Sequence, residues 1–166
     1  MRKLKYVISV FLVIGFISVS FFGAIAQNKE MKAKDVPKDV IEVLNKYLEI
    51  LSTSSSVDEA GKKMIEADIL GGHLTNGAGT EASGDILQFS LKKDFDNVKF
   101  YGQPAVITRV LFSPNDYDGF KETLFEGDRY KIWIKKKEGV AGMPAPIPII
   151  KPKEGKPKVV STIGSL

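Results

Sequence analysis

The stretch Asp128-Arg129-Tyr130-Lys131-Ile132-Trp133-Ile134, followed by Lys135, decides the fold. Tyr130, Ile132 and Ile134 alternate with Lys131, Trp133 and Lys135. A period of two with one apolar side is the mark of a strand that has a dry face and a wet face. Trp133 falls on the lysine side, where lysine stems cover it or where it stands open as a binding surface.

The β signal extends in both directions. Ala105 to Phe112 is rich in valine, isoleucine and aromatic residues, and a weaker strand is expected over 120–126. Ser113-Pro114-Asn115-Asp116 and Asp118-Gly119 predict turns between them. Downstream, Pro144, Pro146 and Pro148 alternate with Ala145, Ile147 and Ile149. Prolines at that spacing delete N–H donors along one edge only. The pattern predicts an edge strand, paired on one side and blocked on the other. A polyproline II segment is the alternative. A charged hairpin, Lys151 to Lys158, leads to a last strand, Val159 to Ile163.

Upstream the period changes. Val40, Val43, Leu44, Tyr47, Leu48 and Leu51 recur at helical spacing behind Pro37, with Asp35 and Asp39 at the positive end of the helix dipole. This predicts a helix over 37–51 that ends at the serine cluster Ser52 to Ser56. Ser56 and Glu59 have capping-box spacing and predict a second helix over 57–66. Gly71-Gly72 and Gly77-Ala78-Gly79 mark a loop. Residues 84–101 fit a helix through Leu87, Leu91 and Phe95, and a strand through Leu87, Phe89 and Leu91; a short helix is the reading taken. Helices first and antiparallel strands after give an α+β domain over 36–166, N-terminal helices packed on a curved antiparallel sheet.

The N-terminus reads as an export signal. Arg2, Lys3 and Lys5 precede an apolar run from Tyr6 to Phe22, and Ala24-Ile25-Ala26 supplies the small residues of a cleavage site. The expected cut lies after Ala26. A kept membrane anchor is the other reading, since the run approaches the roughly 20 residues that span a bilayer. The expected location is therefore the periplasm or the exterior, with the chain membrane-anchored if the segment stays. Residues 27–35 are polar and are expected to be a flexible tether.

Composition narrows the function classes. The chain has no cysteine, which removes disulfides, thiol catalysis, thiolate metal sites and lipoprotein anchoring. Three of its 24 basic residues belong to the signal, so 21 remain against 20 acids, and the case for nucleic-acid binding disappears with them. The eight lysines of 131–158 read as a solvated surface. Gly77-Ala78-Gly79-Thr80-Glu81-Ala82 lacks the strand and helix that a dinucleotide fingerprint needs, so no cofactor is expected. Asn115-Asp116-Tyr117-Asp118-Gly119 fails the calcium-loop register at positions one and twelve, and one histidine without cysteine makes no nitrogen–sulfur metal site.

The order and spacing of these elements resemble the NTF2-like (cystatin-like α+β cone) superfamily of small exported bacterial proteins. The residues that carry it are helix 37–51, the capped helix after it, the 128–134 strand and the terminal Pro157 to Leu166. The resemblance implies a curved sheet wrapped on helices around a conical pocket. Members include isomerases, dehydratases and binding modules, so fold does not deliver function.

Two functions follow as expectations. The first is a non-enzymatic module that binds a small apolar ligand or a protein partner, with Trp133 as a contact residue; Tyr47, Phe95, Tyr101 and Tyr130 read as pocket walls or as a filled core, and the filled core is the reading taken. A homodimer is compatible with it. The second is a pocket isomerase or dehydratase in which His73, the only histidine, works with Asp68 or Asp96.

Overall fold

The computed structural model describes residues 28–144 and 146–161. The expected signal, with Ala24 and Ala26, lies outside the described residues. The last expected strand, Val159 to Ile163, is found as Lys158–Val159, with Val160 and Ser161 beyond it and Thr162 and Ile163 outside the described residues.

The architecture is α+β, as expected. Helices α1 (Lys38–Thr53), α2 (Val57–Glu66), α3 (Gly84–Gln88) and α4 (Ser90–Asn97) precede most of the sheet. Strands β1 (Lys29–Met31), β2 (Ile107–Asp118), β3 (Phe125–Ile134), β4 (Ile147–Lys151) and β5 (Lys158–Val159) form one open antiparallel sheet in sequence order.

Helix α1 forms where its apolar stripe predicts. Val40, Leu44, Tyr47, Leu48 and Leu51 are buried, and Ile50 joins them, while Val43 is half-buried. These side chains share one core with Val110, Tyr130, Ile132, Ile134, Ile147 and Ile149 from the sheet. Each such fully buried side chain contributes about 1.5–3 kcal/mol. The Ser56 hydroxyl accepts from the Glu59 N–H at 3.1 Å and starts α2. The return half of the box shifts by one residue, since the Glu59 carboxylate accepts from the N–H of Ser55 at 2.7 Å and not of Ser56. Its hydrogen bonds from Lys63 and Ser55 lower the Glu59 pKa to about 2. The passage from α4 to β2 is fastened to α1, with Gln103 Nε2 donating to the Leu48 carbonyl at 3.0 Å and Ala105 N–H donating to Asn45 Oδ1 at 3.0 Å.

Four expectations are corrected. The tether is not free chain: Lys29–Met31 pairs with Phe112–Val110 as β1, and Ala33–Asp35 makes a short 3-10 turn. A polar segment becomes a strand here because its partner supplies the ladder. The turn expected at 113–116 is a bulge inside β2. Ser113 faces Arg129 and Asp116 faces Gly127, so two residues oppose one. Asn115 takes a positive φ of 50° there, and its N–H reaches Asp128 Oδ1 at 3.2 Å. The true turn is 119–124, a 3-10 turn replaces the weak strand, and β3 starts at Phe125. Finally, β4 is paired on both sides, to β3 and to β5. Proline removes a donor but keeps its carbonyl, and the Pro148 carbonyl accepts from Val160 N–H at 3.1 Å.

Candidate functional site

The residues expected to wall a pocket are core residues. Tyr47, Tyr101 and Tyr130 are buried in the main cluster, and Phe95 packs against it half-buried. The Tyr130 ring lies 5.3 Å from that of Phe112. Tyr47 donates to Asp94 Oδ2 at 2.7 Å, and Asp94 is itself buried. Burial, then the charge of Asp94 and the bond to it, hold the Tyr47 hydroxyl far above its usual pKa, so it stays a donor. Burial and the same charge raise the pKa of Tyr101. Among the described residues the Tyr101 hydroxyl has no hydrogen-bond partner. Tyr47→Phe removes one partner of a buried carboxyl. It is expected to cost about 1–3 kcal/mol in urea denaturation; an unchanged midpoint would show that Asp94 does not depend on Tyr47.

The candidate acids part from the candidate base. Asp68 pairs with Lys158 at 2.6 Å, and Asp96 with Lys92 at 2.8 Å, both acids on the surface. His73 meets neither. It sits in the 3-10 turn Gly72–Leu74, and its Nδ1 lies 3.0 Å from Oδ1 of Asp118 at the end of β2. The side chain of His73 is 63% exposed and that of Asp118 only 7%.

Asp118 is the centre of this arrangement. Its Oδ1 accepts the His73 N–H at 2.9 Å, and its Oδ2 accepts from Ser161 Oγ at 2.8 Å. Arg129 Nη1 stands 3.6 Å away, while its Nε donates to Asp116 at 2.8 Å and its Nη2 donates to the Tyr117 carbonyl. Burial pushes the Asp118 carboxyl up, but the His73 N–H, Ser161, the His73 ring and the Arg129 charge together hold it below the ordinary 3.8. Gly72 permits the approach. It has a φ of +59°, and a Cβ there would stand 2.3 Å from Asp118 Oδ1.

The chemistry of the ring follows from two contacts. Nδ1 is 3.1 Å from the Gly119 N–H as well as 3.0 Å from Asp118. The carboxylate needs a proton on Nδ1, whereas the amide needs a lone pair. When Nδ1 carries the proton, the lone pair sits on Nε2. Ser161 bonds the aspartate and not the imidazole, so the order is His–Asp–Ser and the hydroxyl is not activated as a nucleophile. Nothing local in the sequence marks Asp118, Arg129, Ser161 or Asp94. His73 and Asp118 are 45 residues apart, and Asp118-Gly119 reads as a turn.

Trp133 lies on the outer side of the sheet, half-buried, with an arginine over its ring. The Arg109 guanidinium sits 5.0 Å from its ring centre and is held by Glu30 at 2.8 Å. Trp133 is the only tryptophan, so it reports on itself. Arg109→Ala is expected to shift its emission to the red with a stability change within about 1 kcal/mol; an unmoved spectrum would mean that Arg109 does not shield the ring. Compared with protein-family models, with curated proteins and with solved structures, the chain matches none.

Proposed function

We propose that the protein is an exported, non-enzymatic binding module held at the outer side of a membrane by its N-terminal segment. The observation that carries the non-enzymatic reading is the use already made of the candidate acids. Asp68 and Asp96 pair with Lys158 and Lys92 away from His73, while Tyr47, Tyr101 and Tyr130 fill the interior where a substrate pocket would lie. Trp133 and Arg109, residue types that anchor interfaces, share the outer side of the sheet and suit a protein partner. Helices followed by a meander support the NTF2-like resemblance as a proposal about kinship.

β1 favours a kept segment over a cut one. Only Gln27 and Asn28 separate Ala26 from the strand, and Asn28 is hydrogen-bonded to Ser113. Proteolysis takes an extended chain free on both sides of the bond. The pairing of β1 with β2 begins at Lys29, three residues after Ala26. Mass spectrometry of the protein from cells is expected to find residues 1–26 retained in the membrane fraction. A soluble chain starting at Gln27 would overturn the anchor.

The second reading, an isomerase or dehydratase, keeps one supporting observation, the buried Asp118 against a mostly exposed His73 ring. In the forms that rely on a general base, each reaction begins with removal of a proton beside a carbonyl. Incubation with a simple enolisable ketone in deuterated water separates the two. We expect no exchange above that of His73→Ala; exchange lost with the imidazole would establish the enzyme.

A further inference from the structure

We propose that the end of the β2–β3 hairpin, Tyr117 to Leu124, docks on the lipid bilayer. The inference rests on the kept N-terminal anchor and says which face of the domain that anchor brings to the membrane.

The direction of the chain carries it. β1 runs antiparallel to β2, with Met31 opposite Val110 and Lys29 opposite Phe112. Traced backwards from Met31, the chain therefore heads toward the same end as β2 does on its way to Asp118. The contact of Asn28 with Ser113 keeps that course one residue further. The apolar run ends at Phe22, and the six steps from Asn28 to Phe22 span at most about 20 Å. From Phe112 to Asp118, β2 rises about 20 Å in the same direction. A bilayer that holds the apolar run thus lies within about 20 Å of Asn28, a reach that takes in the hairpin end of the domain.

That end carries exposed apolar side chains. Tyr117 is 62% exposed, Phe120 70% and Leu124 48%. They do not share one flat face. Tyr117 lines a groove of about 330 Å³ with Asn115, Glu126 and Lys153, whereas Leu124 lines a separate groove with Gly77 and Glu122. Phe120 stands at the turn between them. A flat protein partner would cover one side of this wedge and leave the other wet. Insertion end-on into the headgroup boundary covers all three, and aromatic rings with a polar rim suit that layer. Lys121, Lys153 and Lys156 are balanced by Glu122, Glu126 and Glu154, so contact rests on the apolar side chains and not on anionic lipid. Met143, 91% exposed, lies in the loop after β3 at the opposite end of the sheet and serves as the control.

The absence of cysteine makes the test direct. Phe120→Cys and Met143→Cys are each labelled with an environment-sensitive dye in the full chain. The labelled chains are added to vesicles of phosphatidylcholine, alone or mixed with phosphatidylglycerol, that carry a nitroxide lipid. We expect several-fold stronger quenching at position 120 than at 143 in both lipids. Equal quenching at the two positions, in a chain that sediments with the vesicles, overturns the docking and leaves the anchor standing. Quenching at 120 only with the anionic lipid overturns its apolar basis. A signal at 120 that rises with the protein-to-lipid ratio assigns the tip to a second copy of the chain, and also overturns it. A chain that does not sediment with vesicles refutes the anchor itself.

Discussion

Asp118→Ala is expected to lose about 3 kcal/mol of stability, measured by urea denaturation at neutral pH, because breaking a buried charge pair costs about 3–5 kcal/mol and Arg129 keeps Asp116 as a second partner. The loss spans three segments at once. The carboxylate ties the turn Gly72–Leu74 to the end of β2, and Ser161 beyond β5 to both. The pH dependence follows from the lowered pKa of Asp118. A carboxyl that is more acidic folded than unfolded stabilises the fold fully above its unfolded value. That contribution is lost as pH falls through the folded value. The gap between wild type and variant should therefore be constant well above pH 4 and narrow as the solution is made more acid than that. A gap that stays open at low pH would mean that the variant is weakened by lost packing and not by lost charge.

Gly127→Ala is expected to be as damaging for a different reason. Gly127 lies in β3 opposite Asp116, beside the bulge of β2. A Cβ there would stand 2.2 Å from the Lys151 carbonyl oxygen and 2.7 Å from Pro152 Cα. These are backbone atoms, so no rotamer relieves the contact. Either the β3–β4 pairing or the β4–β5 turn must shift. Overpacking of this kind costs about 1–3 kcal/mol, and the rigid neighbour places this site at the upper end. A fall in Tm of roughly 10 °C is the corresponding thermal shift. Gly84→Ala is the internal comparison. Nothing lies within 4 Å of a Cβ at Gly84, which opens α3, and alanine is the better helix former. That variant should melt at or above the wild-type temperature. If both variants melt alike, the space around Gly127 is softer than its backbone neighbours imply.

How far the sequence reveals this molecule depends on the range of the forces concerned. Helix α1 is legible because its stripe lies within sixteen consecutive residues. The start of α2 is legible because a cap is a local bond, and even the one-residue shift of the Glu59 contact stays inside that turn. The 84–101 stretch, open to two periods, is helical from Gly84 to Gln88 and from Ser90 to Asn97. β1 is not legible, because Lys29-Glu30-Met31 has no period and owes its conformation to a partner some eighty residues later. The course of β2 past Pro114 and Asn115 was hidden by residues that usually turn a chain and here bulge it. The site suffers most from distance. His73 was readable as a candidate base, but its acid is 45 residues away and does not resemble one in sequence. Tyr47, Tyr101 and Tyr130 are buried, as their places in apolar patterns imply. Whether they wall a cavity or fill it depends on packing, which no periodicity reports.

The strand β1 also sets an order of events. β2 through β5 form a meander in which each strand pairs with the next in the chain, so their loops close over short distances. β1 emerges first in synthesis and must wait for β2 before it can pair, and it then contributes only three residue pairs. Its pairing joins the strands farthest apart in the sequence and is the slowest of the strand pairings to form. Each opening bares the edge of β2 from Val110 to Phe112, a row of unpaired amides able to accept another strand. This short ladder between distant parts of the chain thus works as a latch, and how often the latch lifts governs how often this edge is available for aggregation.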